Sequence, residues 1–162
     1  FDAIANIVLH GSFYVTQAVG KRWIAAKRGG AIVSIGSATL SGVGVTLNAS
    51  DLRLDLGASD MSAGGLGMTL NASSGTLVLP RSGVDGVGIT LNAASLTVCV
   101  DPSLGLTVNA SETLSSNNFA DAGLVKLGDR RWHVDGSGAG QLNLSYTGNV
   151  SSITIDRSGG CQ

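Results

Sequence analysis

Charge, aromatic rings, proline and cysteine are all scarce in this chain of 162 residues. Charged residues make up 13% of it, where an ordinary globular domain carries about a quarter. That excludes a coiled coil or helical bundle, whose solvent faces need abundant Glu, Lys and Arg. A hydrophobic content of 43% excludes a disordered chain, which cannot bury enough apolar surface to offset its ordering entropy. The formal net charge of −1 leaves no basic footprint, so no nucleic-acid partner is expected. No run of 18 apolar residues exists, so no membrane span is expected in this chain. Aromatics at 4% mean that any core is filled by medium-sized aliphatics. The cysteines, Cys99 and Cys161, are too few for a disulfide-dense scaffold and allow one candidate disulfide, against two free thiols. His10 and His133 have no partners at metal-ligand spacing, so neither a metal nor another cofactor is expected.

Glycine is abundant, at 24 residues, and it marks an internal repeat. Gly44-Val-Thr-Leu-Asn-Ala-Ser50 returns as Gly67-Met-Thr-Leu-Asn-Ala-Ser73 and as Gly88-Ile-Thr-Leu-Asn-Ala-Ala94. A looser copy is Gly105-Leu-Thr-Val-Asn-Ala-Ser111. The first three copies are each followed by a second alternating run, such as Leu52-Arg-Leu-Asp-Leu56 or Leu96-Thr-Val-Cys-Val100. A worn copy closes the chain, with Gln141-Leu-Asn-Leu-Ser145 and then Ile153-Thr-Ile155.

Each unit therefore reads as strand, sharp corner, strand and turn. Alternation puts Val45, Leu47, Leu52, Leu54 and Leu56 on one face, with Thr46, Arg53 and Asp55 on the other. One unit cannot bury its apolar face alone, whereas units stacked about 4.8 Å apart would merge theirs into a column. Asn48, Asn71, Asn92 and Asn109 fall at the corners, where asparagine tolerates positive φ and can stack into an amide ladder. The expected fold is mainly β: a β-solenoid or β-roll of four to five stacked layers, with a β-sandwich as the alternative.

The first forty residues differ. Residues 1–41 sum to +3 and residues 42–162 to −4, which places a compositional boundary near Ser41. Ile4, Ile7, Val8, Val15, Val19 and Trp23 follow helical spacing, and Lys21, Arg22, Lys27 and Arg28 suit a helix C-terminus. Gly29-Gly30 is a stop signal, and Ala31-Ile-Val-Ser-Ile35 reads as a short strand. The chain begins at Phe1, not Met, which reads as a fragment or processed piece. An open solenoid end recruits other strands, which gives the amphipathic helix a role as cap of the first layer; the alternative is that residues 1–41 are a chimeric or misjoined segment.

Two resemblances follow from these motifs. The run IVLHGSFYVTQAVGKRWIAAKRGGAIVSIGS resembles the central helix and following strand of a short-chain dehydrogenase/reductase. Ser37 then matches that family's carbonyl-polarising serine. Ser50 and Leu54 stand where its Tyr and Lys belong, and the glycine-rich cofactor turn has no counterpart. Hydride chemistry thus lacks its proton-transfer pair, and no catalytic residue is assigned. Residues 42–162 resemble bacterial toastrack or LiaF-like C-terminal domains, an adhesin-like group. That resemblance implies a non-enzymatic structural or binding domain of a bacterial cell-envelope or extracellular protein, with a protein or cell-surface partner. The alternative is a fragment of a cytoplasmic oxidoreductase.

The segment from Glu112 to Val134 breaks the repeat, and insertions in repeat folds often supply the binding face. Arg130, Arg131 and Trp132 have the composition of an interface anchor, against the alternative that Phe119 and Trp132 plug the last layers. The Asn-x-Ser triplets at Asn48, Asn71, Asn109, Asn143 and Asn149 fit the glycosylation pattern, but their recurrence favours corners.

Overall fold

The computed structural model describes residues 30–32, 42–82 and 84–159; the calls on the N-terminal helix, His10, Ser37 and Cys161 lie outside the described residues. The described residues contain no helix. Their strands are β1 (Gly30–Ile32), β2 (Gly42–Asn48), β3 (Asp51–Asp55), β4 (Met61–Asn71), β5 (Ser74–Val78), β6 (Val84–Asn92) and β7 (Ser95–Cys99). They continue as β8 (Gly105–Thr113), β9 (Ser116–Asn117), β10 (Val125–Lys126), β11 (Arg131–Val134), β12 (Gln141–Asn149) and β13 (Ser152–Asp156).

The strands form two sheets, and each repeat unit gives one strand to each. One sheet has the order β1-β3-β5-β7-β13-β9 and the other β10-β11-β8-β12-β6-β4-β2. All pairings between units are parallel, and equivalent residues sit side by side: Asn48 against Asn71, Asn71 against Asn92, Asn92 against Asn149. Spatial order departs from chain order at one place. The last unit, β12 and β13, lies between the third (β6, β7) and the fourth (β8, β9).

Alternation along each strand builds the core. Register aligns Val43, Leu66, Val87, Leu144 and Val108 in one row, and Val45, Met68, Ile89, Tyr146 and Ala110 in the next. A third row holds Leu47, Leu70, Leu91, Gly148 and Glu112. The facing sheet contributes Leu54, Leu77, Val98 and Ile155. Leu70, Leu91 and Val108 are fully buried, and Leu47 packs half-buried against them. Each fully buried leucine contributes roughly 1.5–3 kcal/mol relative to exposure. Tyr146, the largest buried side chain, lies beside Ala110 and next to Gly148. A Cβ at Gly148 would overlap the Tyr146 hydroxyl, so the glycine makes room for the ring.

The two ends of the seven-stranded sheet differ. Beyond β8 the hairpin of β10 and β11 packs antiparallel, against Leu106–Asn109. A reversed hairpin with a two-residue outer strand blunts an edge that would template further parallel strands. In the other sheet β9 is also two residues long, and Asn118 continues its pairing through the side chain. The Asn118 Nδ2 donates to the Ile155 carbonyl at 3.0 Å, and the Ile155 N–H donates to Asn118 Oδ1 at 2.7 Å.

Every corner turns through one non-glycine residue with positive φ: Ala49, Ala72, Ala93, Val150 and Leu114, between 46° and 53°. For an L-residue this conformation costs roughly 1–2 kcal/mol, and a β-branched residue tolerates it least. Val150 is also 63% exposed, so its side chain contributes little burial. Val150→Gly is expected to raise stability by about 0.5–1 kcal/mol, the relieved strain less the entropy of glycine in the unfolded chain. Thermal or urea unfolding measures the difference.

Candidate functional site at the stacked corners and the terminal hairpin

The corners repeat one construction. At Asn48, Asn71 and Asn149 a strand ends in Asn, the next residue turns the backbone and a Ser follows; Ala94 replaces that Ser after Asn92, and Thr113 replaces the Asn before Leu114. The backbone ladder runs on through the bend: the N–H of Ala49 donates to the Asn71 carbonyl, that of Ala72 to Asn92 and that of Ala93 to Asn149, each at 2.9 Å. Side chains add a second ladder outside the first. Asn71 Nδ2 donates to Asn48 Oδ1 at 2.8 Å, Asn92 to Asn71 at 2.8 Å, and Asn149 to Asn92 at 2.9 Å. All donors point the same way, so each amide polarises the next. The serines tie the bend to its own strand, with Ser50 Oγ donating to the Asn48 carbonyl and Ser73 Oγ to that of Asn71.

Asn48, Asn71 and Asn92 thus occupy corners, and Asn109 does not. Asn109 stands inside β8, exposed, opposite Ser145 and Arg131. The reason is the order of units: its neighbour in space is the last repeat, whose corner is Asn149. Register then carries the ladder position in β8 to Thr113, and the bend to Leu114. The signal for Asn149 was present as Asn149-Val-Ser151, one of the five Asn-x-Ser triplets. Ser151 also closes the fifth layer internally, since its Oγ lies 2.9 Å from the Tyr146 hydroxyl and 3.0 Å from Ser115 Oγ.

The outer faces carry small polar side chains in rows. On the seven-stranded sheet, Thr46, Thr69, Thr90 and Thr147 align, ending at Ser111. Gly44, Gly67 and Gly88 form the parallel row beside them, leaving a shallow groove of about 480 Å³ along the stack. A larger open groove, about 570 Å³, follows the corners past Ser50, Ser73, Ala94 and Ser151. Neither groove brings an acid and a base together at its wall. The aspartates are spread through the turns and held there: Ser103 and Ser158 donate from hydroxyl and backbone N–H to Asp101 and Asp156. These serine hydrogen bonds hold both carboxyls below the usual aspartate range. Burial lowers Arg157, whose Nη2 donates to the carbonyls of Pro102 and Leu104.

The hairpin separates the members of the candidate interface. Arg130 and Arg131 are exposed, whereas Trp132 is half-buried against the core. Its ring meets Phe119 edge-on, with centroids 5.7 Å apart, and Lys126 Nζ lies 5.7 Å over it. Phe119 is fully buried and meets Tyr146 edge-on in turn. Trp132 is therefore anchored from within and leaves the two arginines on the surface. His133 is held between Thr107 Oγ1 at 2.9 Å and Asp135 Oδ1 at 3.1 Å. Among the described residues no three His, Cys, Asp or Glu side chains gather as a metal site. Cys99, at the end of β7, is disulfide-bonded.

No family model matches the chain, and no curated protein matches it. A solved structure does: a "putative cell adhesion protein" from Clostridium sporogenes ATCC 15579, with a TM-score of 0.52 and 17% sequence identity. The match covers 72% of this chain and 55% of that one, so the chain spans about half of its structural neighbour. At this identity the likeness is one of fold.

Two outcomes are expected. Asn92 sits mid-ladder, giving one hydrogen bond and accepting another. Asn92→Asp replaces the donor with a carboxylate oxygen facing Asn71 Oδ1, and is expected to cost about 2 kcal/mol at neutral pH. Protonation restores a donor, so the loss shrinks as pH falls toward about 4, while Asn109→Asp changes stability by less than about 0.5 kcal/mol. Urea unfolding across pH reads both. For the cysteines, digestion without reductant is expected to release one cross-linked peptide containing Cys99 and Cys161, detected by mass spectrometry.

Proposed function

We propose that the chain is a non-enzymatic β-solenoid module of a bacterial cell-envelope or extracellular protein, serving as an adhesin-like scaffold. The observation that carries this reading is the continuous polar corner ladder joined to flat outer faces. Such a build spends its polar groups on holding identical layers in register and displays an extended surface. The unit order, with consecutive strands alternating between two parallel sheets, supports naming the architecture a solenoid of five layers. The fold likeness to the Clostridium sporogenes protein supports placing it at a cell surface.

Binding on this reading is by the outer faces and the hairpin end, where Arg130 and Arg131 flank the anchored Trp132. The backbone that carries the two arginines is held, since the Arg130 carbonyl accepts from the Ala110 N–H and the Arg131 carbonyl from the Leu127 N–H, and exposed charge on a held backbone suits an interface rim. The partner class is a protein or another component of the cell surface. No cofactor takes part, and the segment that resembles a dehydrogenase serves packing in place of hydride transfer.

The test combines location with binding. The fluorescently labelled chain is expected to bind intact bacterial cells saturably, and Arg130→Ala with Arg131→Ala to weaken that binding at least tenfold without changing the unfolding midpoint. Binding that the double variant leaves unchanged removes the hairpin from the interface. Saturable quenching by NADH or NADPH would overturn the non-enzymatic assignment altogether.

A further inference from the structure

The outer face of the seven-stranded sheet has a composition that its own fold does not require. From the level of Gly86 to the corner, the outward positions of β2, β4, β6, β12 and β8 hold only glycine, threonine, serine and asparagine. None of these positions carries a charge, where about a quarter of an ordinary chain is charged. The other sheet differs, with Asp51, Arg53, Asp55 and Asp156 along its outer side. Two glycine rows, Gly42, Gly65, Gly86 and Gly44, Gly67, Gly88, floor the uncharged face beside the threonine row. Neither packing nor backbone conformation calls for them. A Cβ at Gly44, Gly67 or Gly86 would meet nothing within 4 Å, and positive φ is confined to Gly123 and Gly159 among the described glycines. Glycine inside a strand weakens it, and where nothing internal explains it, it marks close approach by another molecule.

The chemistry of the face selects its partner. Amides and hydroxyls without charge complement an uncharged molecule that both donates and accepts hydrogen bonds. These groups recur every ~4.8 Å along straight rows, so a straight and periodic molecule can repeat the same contact from layer to layer. Extent matters as well. Five strands and the outward rows from Gly42 to Asn48 measure about 20 Å each way, or roughly 400 Å². That is half of the ~800 Å² that each partner gives to a stable protein complex. A folded protein or a second copy would be held weakly there, whereas a polymer runs on past one molecule and engages several. The trough of about 480 Å³ lies along the stack, walled by Thr46, Thr69, Thr90 and Thr147, with Ser145 following Gly88 in its floor. A chain of sugar rings meets each of these demands: it is uncharged, hydroxylated on both edges and regular.

We propose that the outer face of β2, β4, β6 and β12 binds a straight, uncharged, β-linked polysaccharide, its rings over the glycine floor and its hydroxyls bonded to the threonine row. This rests on the cell-surface reading and names the partner class of one face. Gly67→Thr with Gly88→Thr fills the floor with a residue that favours strands. In the full chain this double variant is expected to raise the unfolding midpoint and yet weaken saturable binding to amorphous cellulose at least tenfold. Cellohexaose is expected to compete for that binding, and maltohexaose, whose linkage coils the chain, is not. In nuclear magnetic resonance spectra of the native chain, cellohexaose is expected to shift the amides of Gly67, Thr69, Gly88 and Thr90. No saturable binding to cellulose, equal binding by the double variant, or shifts confined to another face overturns the proposal. Should the double variant fail to fold, the spectra of the native chain decide. Self-association that rises with concentration and that the double variant abolishes means that a second copy covers the face, and also overturns it. Binding to intact cells without binding to cellulose removes the polysaccharide and leaves the cell-surface reading standing; loss of both removes that reading as well.

Discussion

Parallel stacking in register places like beside like about every 4.8 Å, and nearly every feature of this chain answers that constraint. A charged residue repeated at one position would face its own charge in the next layer. Among the paired residues described, no charge accordingly lies directly beside another in the next layer. Asp51 is followed across the sheet by Ser74, Ser95 and Ser152, and Arg53 by Thr76, Thr97 and Thr154. The low charge content is thereby a result of the architecture. The carboxamide meets the same constraint in the opposite way, because it carries a donor and an acceptor and complements a copy of itself. Asparagine can occupy four consecutive layers where aspartate could not.

The same rule governs the interior. Rows of Leu, Val and Ile keep neighbouring layers equally wide, which is why aromatics are few. The exception proves the dependence on volume. Tyr146 interrupts an aliphatic row, and the chain compensates with Ala110 beside it and Gly148 two residues on. At the hairpin end, where no further layer has to match, Phe119 and Trp132 are accommodated and close the core with edge-on contacts.

Periodicity in the sequence was sufficient for the strands, the corners at Asn48, Asn71 and Asn92, and the burial of the leucine rows, because these depend on local alternation. It was not sufficient for the order of the units. Asn109 and Asn149 lie in similar local contexts, and the pairing that distinguishes them joins strands far apart in the chain. Nothing in a repeat of seven residues encodes which neighbour it will meet. The hairpin was legible as an insertion, but not as a cap, since its role comes from pairing antiparallel to β8. For Trp132 the sequence leaves two readings, an interface anchor with Arg130 and Arg131 or a plug of the last layers with Phe119, and the edge-on contact with Phe119 favours the second.

The position of β12 between β6 and β8 has a temporal consequence. A ribosome delivers the first three repeats in the order in which they stack, so each can settle on the one before it. The fourth arrives next yet has no finished surface to settle on, because the strand that will separate it from the third has not been made. Its aliphatic side chains must wait, exposed, or rest on the third repeat in an arrangement that later has to be undone. Residues 141–156 leave the exit tunnel after the fourth repeat, and they enter between it and the third. Assembly of these layers therefore cannot be vectorial, and the arrival of β12 and β13 becomes the event that commits them to their native order.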